Sequence, residues 1–172
     1  MLYSPEYKSQ QKILHKKGDY GITGQMYGPM VSTIIDTMEV DHLLDYGCGS
    51  NLSLSKTLKP RRPFKYQCYD PMVEKYSADP IPAQMVAAID MIEHVEPDYL
   101  EDVLDHIHVL TEEILFISVH TGPAGKVLED GRNAHLIQQP MMWWLPKIDE
   151  RFEIQSVNRS NKTQFHVIGF PR

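Results

Sequence analysis

The chain has 172 residues, a net charge of −6, 42% hydrophobic and 23% charged residues, and two cysteines. That length suits a single domain with a sizeable core, and the acidic balance weighs against broad nucleic-acid binding, which draws on a basic excess. No apolar run reaches the roughly twenty residues that span a bilayer, the start MLYSPEYKSQ lacks the apolar core of a signal peptide, and the cysteines form no C-x-x-C, so the expected location is cytoplasmic.

Residues 1–40 divide into a polar, basic stretch from Lys8 to Lys17, a glycine-rich turn region from Gly18 to Gly28, and a helix on which Met30, Ile34, Ile35 and Met38 recur at helical spacing. The lysines of the first stretch read as a solvated helix face rather than a phosphate patch. The stretch DHLLDYGCGSNLSL follows, from Asp41 to Leu54. A short apolar run, Leu43-Leu44, closes on Asp45 and turns on Gly47 and Gly49 into a short helix expected over Leu52–Leu58, which Pro60 stops. A strand that ends in an acid and turns on glycines into a helix leaves backbone N–H groups pointing outward, as a cradle for an anionic group of a nucleotide-like ligand. The basic cluster Lys56, Lys59, Arg61, Arg62 and Lys65 reads as solvated surface.

Phe64 to Tyr69 alternates like a strand and ends at Asp70-Pro71, where a carboxylate can accept both hydroxyls of a ribose. Between Asp70 and Val86 three prolines leave little room for the helix and strand an α/β repeat needs, so the sheet is expected to lack one strand. Val86 to Ile89 reads as the next strand, closing on Asp90-Met91. Pro97 to Leu110 is an amphipathic helix carrying Leu100, Val103, Leu104, Ile107 and Leu110 on one face, and Glu113 to Val119 is a buried strand ending near His120. Gly122 to Trp144 reads as a loop over the site that enters a helix near Pro140, with Trp143 and Trp144 available to line a pocket. Phe152–Asn158 and Thr163–Phe170 form a closing antiparallel pair. The fold class is therefore α/β: a Rossmann-like, doubly wound, mostly parallel sheet with an antiparallel C-terminal strand pair. In such a sheet ligands sit beyond the carboxyl ends of the strands, here Asp45, Asp70, Asp90 and His120. Cys48, within the glycine loop, and Cys68, near the end of the second strand, read as small buried residues.

The run LLDYGCGSN resembles the first motif of the class I S-adenosylmethionine-dependent methyltransferases, apolar-apolar-Asp-x-Gly-x-Gly-x-Gly, with Asn51 in the place of the third glycine. Leu52 occupies the third-glycine place of G-x-G-x-x-G, which counts against a nicotinamide-dependent oxidoreductase. Val86 to Val95 is similar to the family's fourth strand with its D-x-x-E-H-h ending, and Asp149 to Ile154 to the turn into its sixth. The resemblance implies one methyltransferase domain over 1–172, with 1–40 a helical segment over the cofactor and 41–172 the Rossmann-like core. It implies S-adenosylmethionine as cofactor and S-adenosylhomocysteine as product, held by Asp45, Gly47, Cys48, Gly49, Asp70, Pro71, Asp90 and Met91, with Tyr20, Gln25 and Tyr27 above and Asp79 at the adenine. Methyl transfer from a sulfonium is an in-line displacement governed by positioning. A general base is needed only where the acceptor loses a proton, and His94, His135 and His120 are the candidates. The expected acceptor is a small or sugar-like molecule, with no metal. Asp90-x-x-Glu93-His94 with His135 is also similar to the metal site of bacterial and plant small-RNA 2′-O-methyltransferases, which makes metal-assisted methylation of an RNA terminus, through Glu93, His94 and His135, the alternative. A cofactor-binding protein without transferase activity is the third reading.

Overall fold

The computed structural model describes residues 1–16 and 22–172. Tyr20, expected above the cofactor, lies outside the described residues. Two helices, α1 (Pro5–Lys16) and α2 (Gly24–Thr37), precede β1 (His42–Tyr46) and β2 (Lys65–Tyr69). Then come β3 (Ala83–Ile89), α3 (Leu100–Leu110), β4 (Thr111–His120), α4 (Met141–Asp149), β5 (Phe152–Arg159) and β6 (Gln164–Pro171). The strands form one six-stranded sheet in the order β2-β1-β3-β4-β6-β5. β2, β1, β3 and β4 run parallel, while β6 pairs antiparallel with both β4 and β5. Between β2 and β3 the regular structure is a single 3-10 turn, Glu74–Tyr76, so the strand expected to be missing is missing there.

Strand alternation divides the core in two. Leu44, Tyr46, Val86, Ala88, Leu115, Ile117 and Val119 point to the face covered by α3 and α4, packing on Val103, Leu104, Ile107, Trp144 and Ile148. Leu43, Met85, Ala87, Ile114 and Phe116 point to the other face, where Val31, Ile34 and Ile35 of α2 close over them. Because both faces are covered, β3 and β4 read as near-continuous apolar runs rather than as alternating ones. α3 forms because five of its apolar residues share one buried face, with Glu101 and Asp102 in its first turn, where negative charge complements the helix dipole. Thr111 then turns extended, and the chain passes into β4 without a loop.

The helix expected over Leu52–Leu58 is not formed; residues 51–57 are a run of turns. Leu52 sits at φ 47°, in the left-handed region that interrupts a right-handed helix, whereas Asn51 does not. α2 presses on this segment: a Cβ on Gly24 would stand 2.4 Å from Ser53 Oγ, and one on Gly28 would stand 2.0 Å from Thr57 Oγ1. The two glycines, one helical turn apart, let α2 ride directly on the turns.

Candidate active site

The carboxyl ends of β1, β2, β3 and β4 open into a cavity of about 340 Å³. Asp45, Gly47, Cys48, Gly49, Asp70, Pro71, Asp90, Met91, His94, His120 and His135 all line it, so the strand tips singled out by sequence converge in one place.

The glycine loop is folded back onto β2: the Gly47 and Cys48 N–H groups both donate to the Tyr69 carbonyl, at 2.8 and 3.1 Å. Gly47 (φ 79°) and Gly49 (φ 63°) hold the left-handed backbone this requires, and a Cβ on Gly47 would meet Met91 Cβ at 2.9 Å. Asp70 locks the loop, accepting from Gly49 N–H at 3.0 Å through Oδ2 and from Met72 N–H at 2.9 Å through Oδ1. Burial raises its carboxyl above the ordinary range, opposed by His15 and by those two amides. Asp45 is 3% exposed and accepts a hydrogen bond from the Tyr66 hydroxyl. Burial pushes its carboxyl up to about 7; the Tyr66 bond works against that rise and nearby Asp70 adds to it. Burial, followed by the fields of Asp45 and Asp70, also raises the Cys48 thiol, and burial raises Cys68, so both stay neutral thiols at pH 7.

At the other end, Asp90 (φ 47°) is tied by its neighbours: Gln164 Nε2 donates to both carboxylate oxygens at 2.7 and 2.9 Å, and Ser118 Oγ donates to Oδ1 at 2.9 Å. It braces β3, β4 and β6 together beside the cavity. Glu93 is fully buried behind the wall, and its Oε1 accepts the His120 N–H at 2.9 Å. Burial, then Asp90, raises its carboxyl well above the ordinary range. His94 and His135 meet edge to face, ring centres 4.5 Å apart, and His120 stands 5.0 Å from His135. Nδ1 of His94 lies 2.8 Å from the Ala134 carbonyl and Nδ1 of His135 lies 2.7 Å from the Gly122 carbonyl. A carbonyl only accepts, so Nδ1 carries the proton in both rings and the lone pair is on Nε2. Burial, then His135, lowers the His94 imidazole to about 3.

Several other expectations fall away from the cavity. Asp79 is exposed and does not line it. Gln25 is exposed, and Tyr27 is buried against Phe116 with its hydroxyl 2.9 Å from Ser160 Oγ. Trp144 is a core residue whose Nε1 donates to the Gln139 carbonyl at 3.1 Å, while Trp143 lies outside under Lys147.

The residues that sequence reading missed are on α1. Tyr7, Gln11 and His15 recur every fourth position, and that face roofs the cavity, with Tyr3 in line before the helix. The Tyr7 hydroxyl donates to the His94 carbonyl, and Glu96 accepts from Ser4 N–H and Ser4 Oγ at 2.7 and 2.8 Å, fastening the helix start. The fourfold spacing was the available signal; the lysines interleaved with it drew attention to the solvent face instead.

No protein-family model matches the sequence, and no curated protein matches it. Solved structures do. The chain is similar to the 1,6-didemethyltoxoflavin-N1-methyltransferase of Burkholderia thailandensis, solved with bound 1,6-didemethyltoxoflavin and S-adenosylhomocysteine: 15% identity, TM-score 0.67, covering 99% of this chain and 92% of that one. It is similar to DhpI, solved as its S-adenosylhomocysteine complex, at 12% identity and TM-score 0.64, covering 95% and 94%. It is also similar to TnmH at 14% identity and TM-score 0.60, where 86% of this chain spans 55% of the other, just over half its length. The β-strand order, the C-terminal antiparallel pair and these likenesses together give the chain the fold of the class I S-adenosylmethionine-dependent methyltransferases.

Proposed function

We propose that the chain transfers the methyl group of S-adenosylmethionine to a small-molecule acceptor. The observation that carries this reading is the convergence of Asp45, the Gly47–Gly49 loop and Asp70 on one cavity at the carboxyl ends of parallel strands. Asp45 faces the cofactor's ammonium group, the loop its methionine part, and Asp70 the ribose hydroxyls. Met91, against Gly47, forms the wall beside the ribose and sulfur. DhpI and the toxoflavin enzyme, which bind S-adenosylhomocysteine on this fold, support the assignment.

The acceptor approaches from the side of His94, His120 and His135, beneath the Pro123–Lys126 segment. There Nε2 of His94 and His135 accepts a hydrogen bond from an acceptor N–H or O–H and fixes its lone pair in line with the methyl–sulfur bond. A small acceptor fits better than an RNA terminus. At about 340 Å³ the cavity is near the lower end of the roughly 300–1,000 Å³ typical of small-ligand sites. Among the described residues Lys126 is the single lysine or arginine that lines it, so those residues form no basic track for a phosphate backbone.

Calorimetric titration with S-adenosylmethionine, S-adenosylhomocysteine and NAD tests the cofactor. Wild type binds both sulfur compounds and not NAD, and Asp70→Ala abolishes the binding. Binding of NAD alone, or of none of the three, overturns the reading. Methyl release from labelled S-adenosylmethionine into a panel of hydroxylated and amino acceptors then separates a transferase from a binding protein.

A further inference from the structure

Gln11, on the roof helix α1, is 3% exposed and lines the cavity. The way its amide points follows from its neighbour. The Tyr7 hydroxyl gives its one proton to the His94 carbonyl, which can only accept. The Tyr7 oxygen must therefore accept from Gln11, so Gln11 turns its NH2 group that way, with Nε2 donating at 2.5 Å. Oε1 then points away from Tyr7, and no described residue donates to it. Among the described residues, the one side-chain oxygen both unpartnered and sealed inside protein is Glu93 Oε2, so Gln11 Oε1 opens into the cavity instead. A buried carbonyl without a donor is costly until a ligand satisfies it.

The position of Gln11 along α1 says which part of the ligand it meets. Tyr7, one turn earlier, stands over His94 at the acceptor end. His15, one turn later, stands over the glycine loop, its Cε1 3.9 Å from where a Cβ on Gly49 would be, and within the field of Asp70. Gln11 therefore roofs the middle of the cavity, between the ribose end and the acceptor end, where the cofactor's sulfur and methyl group lie. We infer that the Gln11 carbonyl faces the sulfonium methyl of S-adenosylmethionine and makes the site prefer this charged cofactor over neutral S-adenosylhomocysteine. The inference rests on the methyl-transfer reading. Hydrogens of a methyl group on positive sulfur share its charge, and the negative end of a fixed amide dipole attracts them. When the acceptor's lone pair bonds the methyl carbon, the carbon–sulfur electron pair stays on sulfur, which becomes a neutral thioether. The charge and the contact are lost together, which favours exchange of spent cofactor for fresh.

Calorimetry with S-adenosylmethionine, S-adenosylhomocysteine and sinefungin, an analogue with an ammonium-bearing carbon in place of the sulfonium, tests this. A C–H···O contact is weak, and charge about doubles it, so Gln11→Met should weaken S-adenosylmethionine and sinefungin about tenfold and leave S-adenosylhomocysteine within about twofold. Tyr7→Phe removes the hydroxyl that orients the amide and should shift the preference in the same direction by a smaller factor. Thermal melts confirm that both variants fold. Equal weakening of all three compounds, or unchanged binding in folded Gln11→Met, overturns the inference and leaves the methyl-transfer reading standing. Absence of binding by wild type overturns that reading and the inference with it.

Discussion

If Asp45 faces the cofactor's ammonium group as proposed, it ties cofactor affinity to pH. Its carboxyl, raised to about 7 by burial, is largely protonated in the empty protein at pH 6. The cofactor's ammonium group requires the ionised form. Well below pH 7 each pH unit therefore weakens binding about tenfold, and from pH 7, where half the carboxyls are already protonated, to pH 5.5 the dissociation constant for S-adenosylhomocysteine should rise about 16-fold. Above the midpoint the affinity levels off. Tyr66 supplies a second handle, because its hydroxyl donates to the carboxylate and stabilises the charged form. A hydrogen bond to a charged group contributes about 1.5–3 kcal/mol, so Tyr66→Phe should move the midpoint upward by about one to two pH units. Affinity of the variant would still be climbing at pH 8. Calorimetry between pH 5.5 and 8 measures this directly. 5′-Methylthioadenosine, which keeps adenine and ribose but lacks the amino acid, is the control and should show a shallower dependence, separating Asp45 from Asp70. A flat profile for S-adenosylhomocysteine, or a midpoint that moves to lower pH in Tyr66→Phe, would refute the assignment of Asp45 to the ammonium group.

The same carboxyl affects stability in the empty protein. A pKa raised from 3.8 to about 7 gives a contribution fully present below the unfolded value and lost as pH climbs to the folded one, an upper bound of about 4 kcal/mol; thermal melts should show wild type losing more stability than Asp45→Asn between pH 4.5 and 7.5. Asp70→Asn removes the charge behind the bonds to the Gly49 and Met72 amides and, on the proposed cofactor placement, to the ribose, and should weaken S-adenosylhomocysteine by about 2–4 kcal/mol, roughly 30- to 1,000-fold by calorimetry. Gly28→Ala drives a methyl to 2.7 Å from the Thr57 carbonyl carbon and should destabilise the fold by about 1–3 kcal/mol in urea unfolding; Thr57→Ala, which leaves that carbon in place, restores only part. Leu52→Gly relieves a left-handed leucine, and should stabilise the protein by about 1 kcal/mol.

What sequence could reveal divides along a physical line. Features fixed by short-range periodicity were legible: the amphipathic face of α3, the buried run of β4, the β5–β6 pair, and the strand tips at Asp45, Asp70, Asp90 and His120. The shortage of chain between Asp70 and Val86 announced the missing strand. What sequence concealed depends on contacts between distant segments. The turns at residues 51–57 replace a helix because α2 lies against them through Gly24 and Gly28, a packing relation no local pattern carries. Asp90 lines the cavity as its strand-tip position suggests, but its bonds to Gln164, far along the chain, were not visible in sequence. The roof made by Tyr7, Gln11 and His15 was hidden because it shares a helix with charged residues such as the exposed Lys12.

The strand missing between β2 and β3 leaves β2 as a sheet edge, with β5 at the opposite edge. Open edges invite a second chain to add a strand, the route to aggregation that natural sheets must block. β2 is only five residues long, begins with the exposed Lys65 and follows Pro63, so it offers little ladder and a charge at its entrance. β5 is longer, but its register slips between Ile154 and Ser156, and it carries Glu153 and Arg159. A shortened sheet has thus been given two edges on which a neighbouring strand finds no continuous, uncharged register to follow.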